Sequence, residues 1–209
     1  MKTPVRDRGI SRRSWLLASL AAPFFSMRAE DDLNVRYDGD TIHVAPPNVH
    51  FLTGKPLQRL KDGAAVAYVG QLDLLNESRV SVRQQRTRFV VSYALWEEKF
   101  SVTQLASSPG AGPRTVEGLS ATDAETWCFN NLTMSTLGLA PNQYYWLRLE
   151  LRTGTARDFA DDNKIGISIK DLIDLLGRKN TEVTHWGPLE TRVRLADLRR
   201  MAGRGSRNG

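Results

Sequence analysis

The sequence predicts a mainly β domain of the α+β kind: an antiparallel β-sandwich or a curved open sheet, carrying two or three short helices. Three observations predict it. Gln143 to Arg152 alternates Tyr145, Leu147, Leu149 and Leu151 with Tyr144, Trp146, Arg148, Glu150 and Arg152, the period-two pattern of a half-buried strand. Three further runs behave alike: Val66 to Leu74 with Tyr68 and Leu72, Arg88 to Leu95 with Phe89, Val91 and Tyr93, and Lys99 to Leu105 with Phe100 and Val102. Helical signals, by contrast, are confined to short stretches with their own start and stop residues.

The elements follow in order. Asn34 to Tyr37 and Asp40 to Val44 flank Asp38-Gly39, a dipeptide suited to a tight turn, so a hairpin opens the domain and Pro46-Pro47 ends it. Thr53 to Gly63 reads as a short helix, with Pro56 in its first turn and Gly63 closing it. The Arg88 and Lys99 strands are joined at Trp96-Glu97-Glu98 as a hairpin, and Ser107 to Pro113 is a loop by composition. Ser120 caps a helix with Asp123 as its capping-box acid, and that helix stops near Asn130-Asn131. After the Gln143 strand, Arg152 to Ile167 is polar and reads as loop. Ser168 to Gly177 is a further capped helix, Leu189 to Leu195 a last strand, and Met201 to Gly209 a Gly- and Arg-rich end expected to fray.

Ahead of this body stand a basic head, the eleven-residue apolar run Trp15 to Phe25, and Ser26-Met27-Arg28 before the small residue Ala29. A membrane-crossing helix needs about 20 apolar residues, so this run is the length of an export signal instead. Ser11-Arg12-Arg13-Ser14-Trp15-Leu16-Leu17 is similar to the twin-arginine export consensus, with Arg12 and Arg13 as its recognition pair, Trp15 in place of Phe, and Leu16 matching. The organisation expected is an export signal over 1–29, one β-rich domain over 30–198, and a basic flexible tail over 199–209. An exported, periplasmic location follows, or an inner-membrane tether if the signal stays attached.

Charge first suggests a nucleic-acid partner and then excludes one. Of the formal +6, residues 1–29 hold +5, from Lys2, Arg6, Arg8, Arg12, Arg13 and Arg28 against Asp7. The end after Leu198 holds +4, which leaves the body at −3, without the charge footprint that phosphate backbones require. Hydrophobic content of 41% is that of a folded chain, and one cysteine, Cys128, cannot form an internal disulfide.

Arg88-Phe89-Val90-Val91-Ser92-Tyr93-Ala94-Leu95-Trp96-Glu97-Glu98-Lys99-Phe100 and Tyr144-Tyr145-Trp146-Leu147-Arg148-Leu149-Glu150-Leu151-Arg152, with Gly63-Ala64-Ala65-Val66, are the basis of a family resemblance. The chain resembles an uncharacterised family of bacterial envelope proteins, domain of unknown function 4390, over about Ile42 to Arg152. The resemblance implies an exported or membrane-tethered bacterial domain and brings no activity, cofactor or catalytic residue with it.

No catalytic constellation emerges from the residues themselves. His43, His50 and His185 form no compact metal pair, and Cys128 has no neighbouring cysteine, so neither a metal nor another cofactor is expected. The sharpest enzyme reading is a Cys128 nucleophile with His185 or His50 as base. Against it, Cys128 falls beside Trp127 in mid-helix, away from the helix N-terminus that would lower its pKa. Glu97-Glu98 and Asp161-Asp162 read as solvated loop charges. Tyr144 and Trp146 are the most suggestive pair, an aromatic face for a partner, a glycan or an apolar ligand. The competing reading buries them as a second core layer, with Trp146 against Trp127 or the Leu172–Leu176 face. The function expected is a non-enzymatic interaction or scaffolding domain with an envelope protein as partner, the alternative an apolar-ligand or glycan module, and the distant alternative a thiol enzyme or hydrolase.

Overall fold

A computed structural model describes residues 33–45, 48–106, 112–155, 158 and 183–205. The export motif Arg12, Arg13, Trp15 and Leu16, the Ser168–Gly177 helix, Asp161-Asp162 and Pro46-Pro47 lie outside the described residues.

The described chain is mainly β. Its elements are β1 (Asn34–Asp38), β2 (Thr41–Ala45), α1 (Gly54–Lys61), β3 (Val66–Leu75), β4 (Ser81–Ala94), β5 (Lys99–Gln104), β6 (Arg114–Leu119), α2 (Ala121–Asn130), β7 (Thr133–Ser135), β8 (Tyr144–Thr153), β9 (His185–Arg194) and α3 (Leu195–Gly205). They form two antiparallel sheets, a small one in the order β1-β2-β7 and a six-stranded one in the order β6-β5-β4-β3-β8-β9. The central strand β3 is buried along nearly its whole length; its core-facing row is apolar, while the opposite row includes Gln71 and buried Asp73, which hydrogen-bond each other.

One face of the large sheet meets the small sheet, α1 and α2 in a single core. Ile42, Val44 and Met134 reach it from the small sheet, Tyr68, Leu72 and Phe89 from the large one, and Leu60 and Cys128 from the helices. Gly70 stands on the core-facing row of β3, where a Cβ would overlap the side chain of Leu132. Leu132, just beyond the end of α2, therefore packs directly on the sheet backbone. Ser120 Oγ accepts from the Asp123 backbone N–H at 3.1 Å and starts α2 as the capping residues predict.

At the middle of the core lies an aromatic cluster. Phe51 meets Tyr68 at 4.8 Å, Phe129 at 5.6 Å and Trp186 at 6.1 Å between ring centroids, all edge to face. Tyr68 is fully buried, and among the described residues its hydroxyl has no hydrogen-bond partner. Burial, then the nearby Cys128 and Glu125, push that hydroxyl above the usual phenol range. An orphan buried hydroxyl costs about 1–3 kcal/mol. Tyr68→Phe should therefore raise the unfolding free energy by about 1 kcal/mol in urea melts; a fall would show that the hydroxyl is hydrogen-bonded.

Five expectations need correction. The hairpin loop is Gly39-Asp40, since Asp38 still pairs with Thr41; Gly39 takes φ +57, which glycine tolerates at the first loop position. β4 begins at Ser81, seven residues before the expected Arg88, because its polar half still pairs with β3 from Leu75 to Gly70. β6 and β7 are strands that the pattern did not announce. The last strand runs His185–Arg194, starting before the expected Leu189 and stopping before Leu195. The stretch after Leu198, expected to be tail, begins inside a helix, Leu195–Gly205. Buried Leu195 anchors its start, and Arg199 donates to the Tyr37 hydroxyl and to Asp40 Oδ1, each at 3.0 Å.

Candidate functional site

The other face of the six-stranded sheet points away from the main core. Tyr144, Trp146, Arg148, Glu150 and Arg152 of β8 lie on it, while Tyr145, Leu147, Leu149 and Leu151 fill the core. Antiparallel register sets Arg194 opposite Tyr144, Arg192 opposite Trp146 and Glu190 opposite Arg148. Near the middle of the sheet the same face carries a small buried apolar cluster, including Val69, Val90 and Leu105.

The two aromatic rings are not stacked under a core layer. The Arg79 guanidinium carbon sits 3.9 Å from the Trp146 ring centroid. Over Tyr144 lie Arg192 at 4.2 Å and Arg194 at 5.6 Å. Trp127, the expected partner of Trp146, instead meets Phe89 at 6.2 Å on the core side, so that packing arrangement is overturned. The reason is parity. Trp127 belongs to a helix lying against the core face, while Trp146 projects from the opposite face of β8. The other named alternative, Leu172–Leu176, lies outside the described residues.

Arg79 reaches Trp146 from the β3–β4 turn. Asn76 N–H donates to the Val80 carbonyl at 2.9 Å, and Arg79 turns back with φ +61, a left-handed conformation uncommon for a residue with a Cβ. Glu190 binds two arginines, Arg148 at 2.6 Å and Arg79. Arg192 pairs with Glu77 at 2.9 Å. Arg194 has no ion pair among the described residues, and its buried Nε has no hydrogen-bond partner there. Four arginines thus face two carboxylates around Tyr144 and Trp146, a local excess of two positive charges.

Two carboxyls on this side are held ionised. Burial acts to raise Glu190, but hydrogen bonds from Arg79 and Arg148 outweigh it and lower its pKa. Asp158 behaves likewise: burial acts upward, while Arg152 and the Thr155 backbone and hydroxyl hold it well below the ordinary carboxylate range. A lowered folded pKa stabilises the fold above the unfolded value, about 4, and that contribution is lost as pH falls through the folded value. The melting temperature should therefore drop as pH is lowered from about 5 towards 2, and Glu190→Gln should flatten part of that drop. A profile unchanged by Glu190→Gln would contradict the assignment.

The remaining candidates are dispersed. Cys128 is 1% exposed, and burial followed by the neighbouring Glu125 carboxylate pushes its thiol up, the reverse of what a nucleophile needs. His50 Nδ1 donates to Glu125 Oε2 at 2.8 Å, and His185 pairs with Glu150 at 3.1 Å. Neither histidine is bonded to Cys128 among the described residues. Trp96 is fully exposed in the β4–β5 turn with Glu97 and Glu98. Among the described residues no cluster of three His, Cys, Asp or Glu side chains is placed to hold a metal, and no helix is long and apolar enough to cross a membrane.

Sequence reasoning selected Tyr144 and Trp146 but missed Arg79, Arg192, Arg194 and the His50–Glu125 pair. The alternation from Leu189 onward already put Glu190, Arg192 and Arg194 on one face. What it lacked was the register that sets that row beside Tyr144 and Trp146.

No protein-family model, curated protein or solved structure matches the chain.

Proposed function

We propose that the protein is a non-catalytic interaction domain of the bacterial envelope, and that it takes an acidic segment of a protein partner on the outward face of its six-stranded sheet. The observation that carries this reading is the Tyr144–Trp146 row, outward-facing and flanked by Arg79, Arg192 and Arg194 with two positive charges in excess. Aromatic and arginine side chains are the residues that dominate protein interfaces, and a partner carboxylate would give Arg194 the ion pair that it lacks among the described residues. Glu190 already bridges Arg79 and Arg148 in the same way one rung along the sheet.

The glycan and apolar-ligand alternative draws less support. The ring faces a sugar would stack on are those the guanidinium groups occupy. The core is filled by Tyr68, Phe89, Leu72 and their neighbours. Placement in the envelope is supported by the Arg12-Arg13 motif and by the apolar run from Trp15 that also contains Leu16. Immobilised full-length protein should capture a protein from envelope extract in low salt and release it as ionic strength rises, since charge pairs at an exposed face are screened within about 10 Å at 0.1 M. Capture of lipid or glycan alone would favour the alternative.

A further inference from the structure

Apart from that sheet face, a cleft of about 180 Å³ lies between the Asn48–His50 segment and α2. Sites for drug-sized molecules hold roughly 300–1,000 Å³, so this one suits a group no larger than a side-chain end. Its polar centre is Glu125, whose side chain is only 7% exposed. Glu125 Oε1 accepts the Leu52 backbone N–H at 2.8 Å, and Oε2 accepts His50 Nδ1 at 2.8 Å. His50 is thus a positioning residue: its ring, 63% exposed at the rim, holds the carboxylate in place.

Glu125 brings a carboxylate to the cleft, and among the described residues no Lys or Arg lines it. A nearly buried carboxylate has given up most of its hydration, and an entering cation would restore what was lost. Two hydrogen bonds leave carboxylate lone pairs free, and Asn48, Thr122 and Thr126, which also line the cleft, carry further side-chain oxygens able to accept. Phe129 supplies an apolar wall. Both carboxylate oxygens are already engaged from one side, so the parallel two-bond fork of a guanidinium is obstructed. An ammonium group, compact and with three donors free to rotate, meets scattered acceptors better.

We propose that this cleft binds a primary ammonium group on a short alkyl chain, with Glu125 as its counter-ion. The proposal rests on α2 and the Asn48–His50 segment alone and is independent of the sheet face.

The test is a titration of the full-length, ¹⁵N-labelled protein with n-butylammonium chloride, followed by amide shifts, with sodium butyrate and sodium chloride as controls. Saturable shifts confined to residues 48–50 and 122–129 are expected with the ammonium salt alone. Glu125→Gln should weaken binding by about tenfold or more, a difference of about 1.4 kcal/mol. Should Glu125→Gln fail to fold, Thr126→Met fills the cleft from an exposed helix position and should also abolish the shifts. Equal shifts with butyrate, no saturable shift in the wild type, or wild-type affinity in Thr126→Met would overturn the proposal.

Discussion

Phe51→Ala is expected to lower the free energy of unfolding by about 3–5 kcal/mol, measured by urea denaturation with the slope unchanged. Phe51 is completely buried and precedes α1, yet its ring touches residues from three other places in the chain: Tyr68 on β3, Phe129 on α2 and Trp186 on β9. Removing it opens a cavity between sheet and helix. It also deletes three edge-to-face contacts, each worth about 0.5–1.5 kcal/mol beyond burial. The surrounding rings are held by separate elements, so the void cannot close by moving one of them. A typical domain is stable by only about 5–15 kcal/mol, so the variant should lie close to its unfolding threshold at physiological temperature. A loss below about 1 kcal/mol would show that the cluster is not the centre of the core.

Trp146→Ala should have the largest effect on binding and a small one on folding. Large interface aromatics at the centre of a contact contribute about 2 kcal/mol or more, which is a thirtyfold loss of affinity. Trp146 is half-buried on the outward face, and what it gives up within the molecule is mainly the contact with Arg79, worth about 0.5–1 kcal/mol at an exposed site. Circular dichroism and the urea midpoint should stay near wild type while affinity for the captured partner falls. Leu147→Ala, one residue along but fully buried, should show the opposite split by losing stability first.

The fold was most legible where side-chain periodicity and burial agree. β8 alternates exposed or half-buried with buried positions along its whole length, as its sequence does. α2 is capped by Ser120 and runs Ala121–Asn130 because its capping chemistry is local. The failures share a cause: the deciding partner is distant in sequence. Ser81 to Thr87 is mostly polar and gives no strand pattern of its own, but pairing with β3 makes it strand. Arg114 to Leu119 is an exposed strand at the edge of the sheet, with little apolar pattern to give it away. The arginine-rich stretch after Leu198 reads as tail, yet Arg199 is fixed by Tyr37 and Asp40, which lie in the first hairpin.

The same division applies to the candidate sites. Tyr144 and Trp146 stand out from their own strand, whereas the arginines around them come from a turn and from β9, brought together only by the sheet register. The His50–Glu125 cleft was invisible for the same reason, since its two halves are 75 residues apart. Cys128 shows the converse. A local argument from its position in the helix was sufficient, because burial and the Glu125 charge both act against a reactive thiol.

The most direct test of the sheet face as a docking surface is capture by a charge-reversed protein. Full-length wild type, the Arg192→Glu, Arg194→Glu double variant and Thr126→Met would be immobilised side by side and exposed to the same envelope extract. The double variant turns the local excess of two positive charges into an excess of two negative ones, repelling an acidic partner while leaving the core row of β9 intact. The predicted result is a protein retained by wild type and by Thr126→Met and absent from the folded double variant. Retention of the same protein by all three would contradict the sheet face as the binding surface.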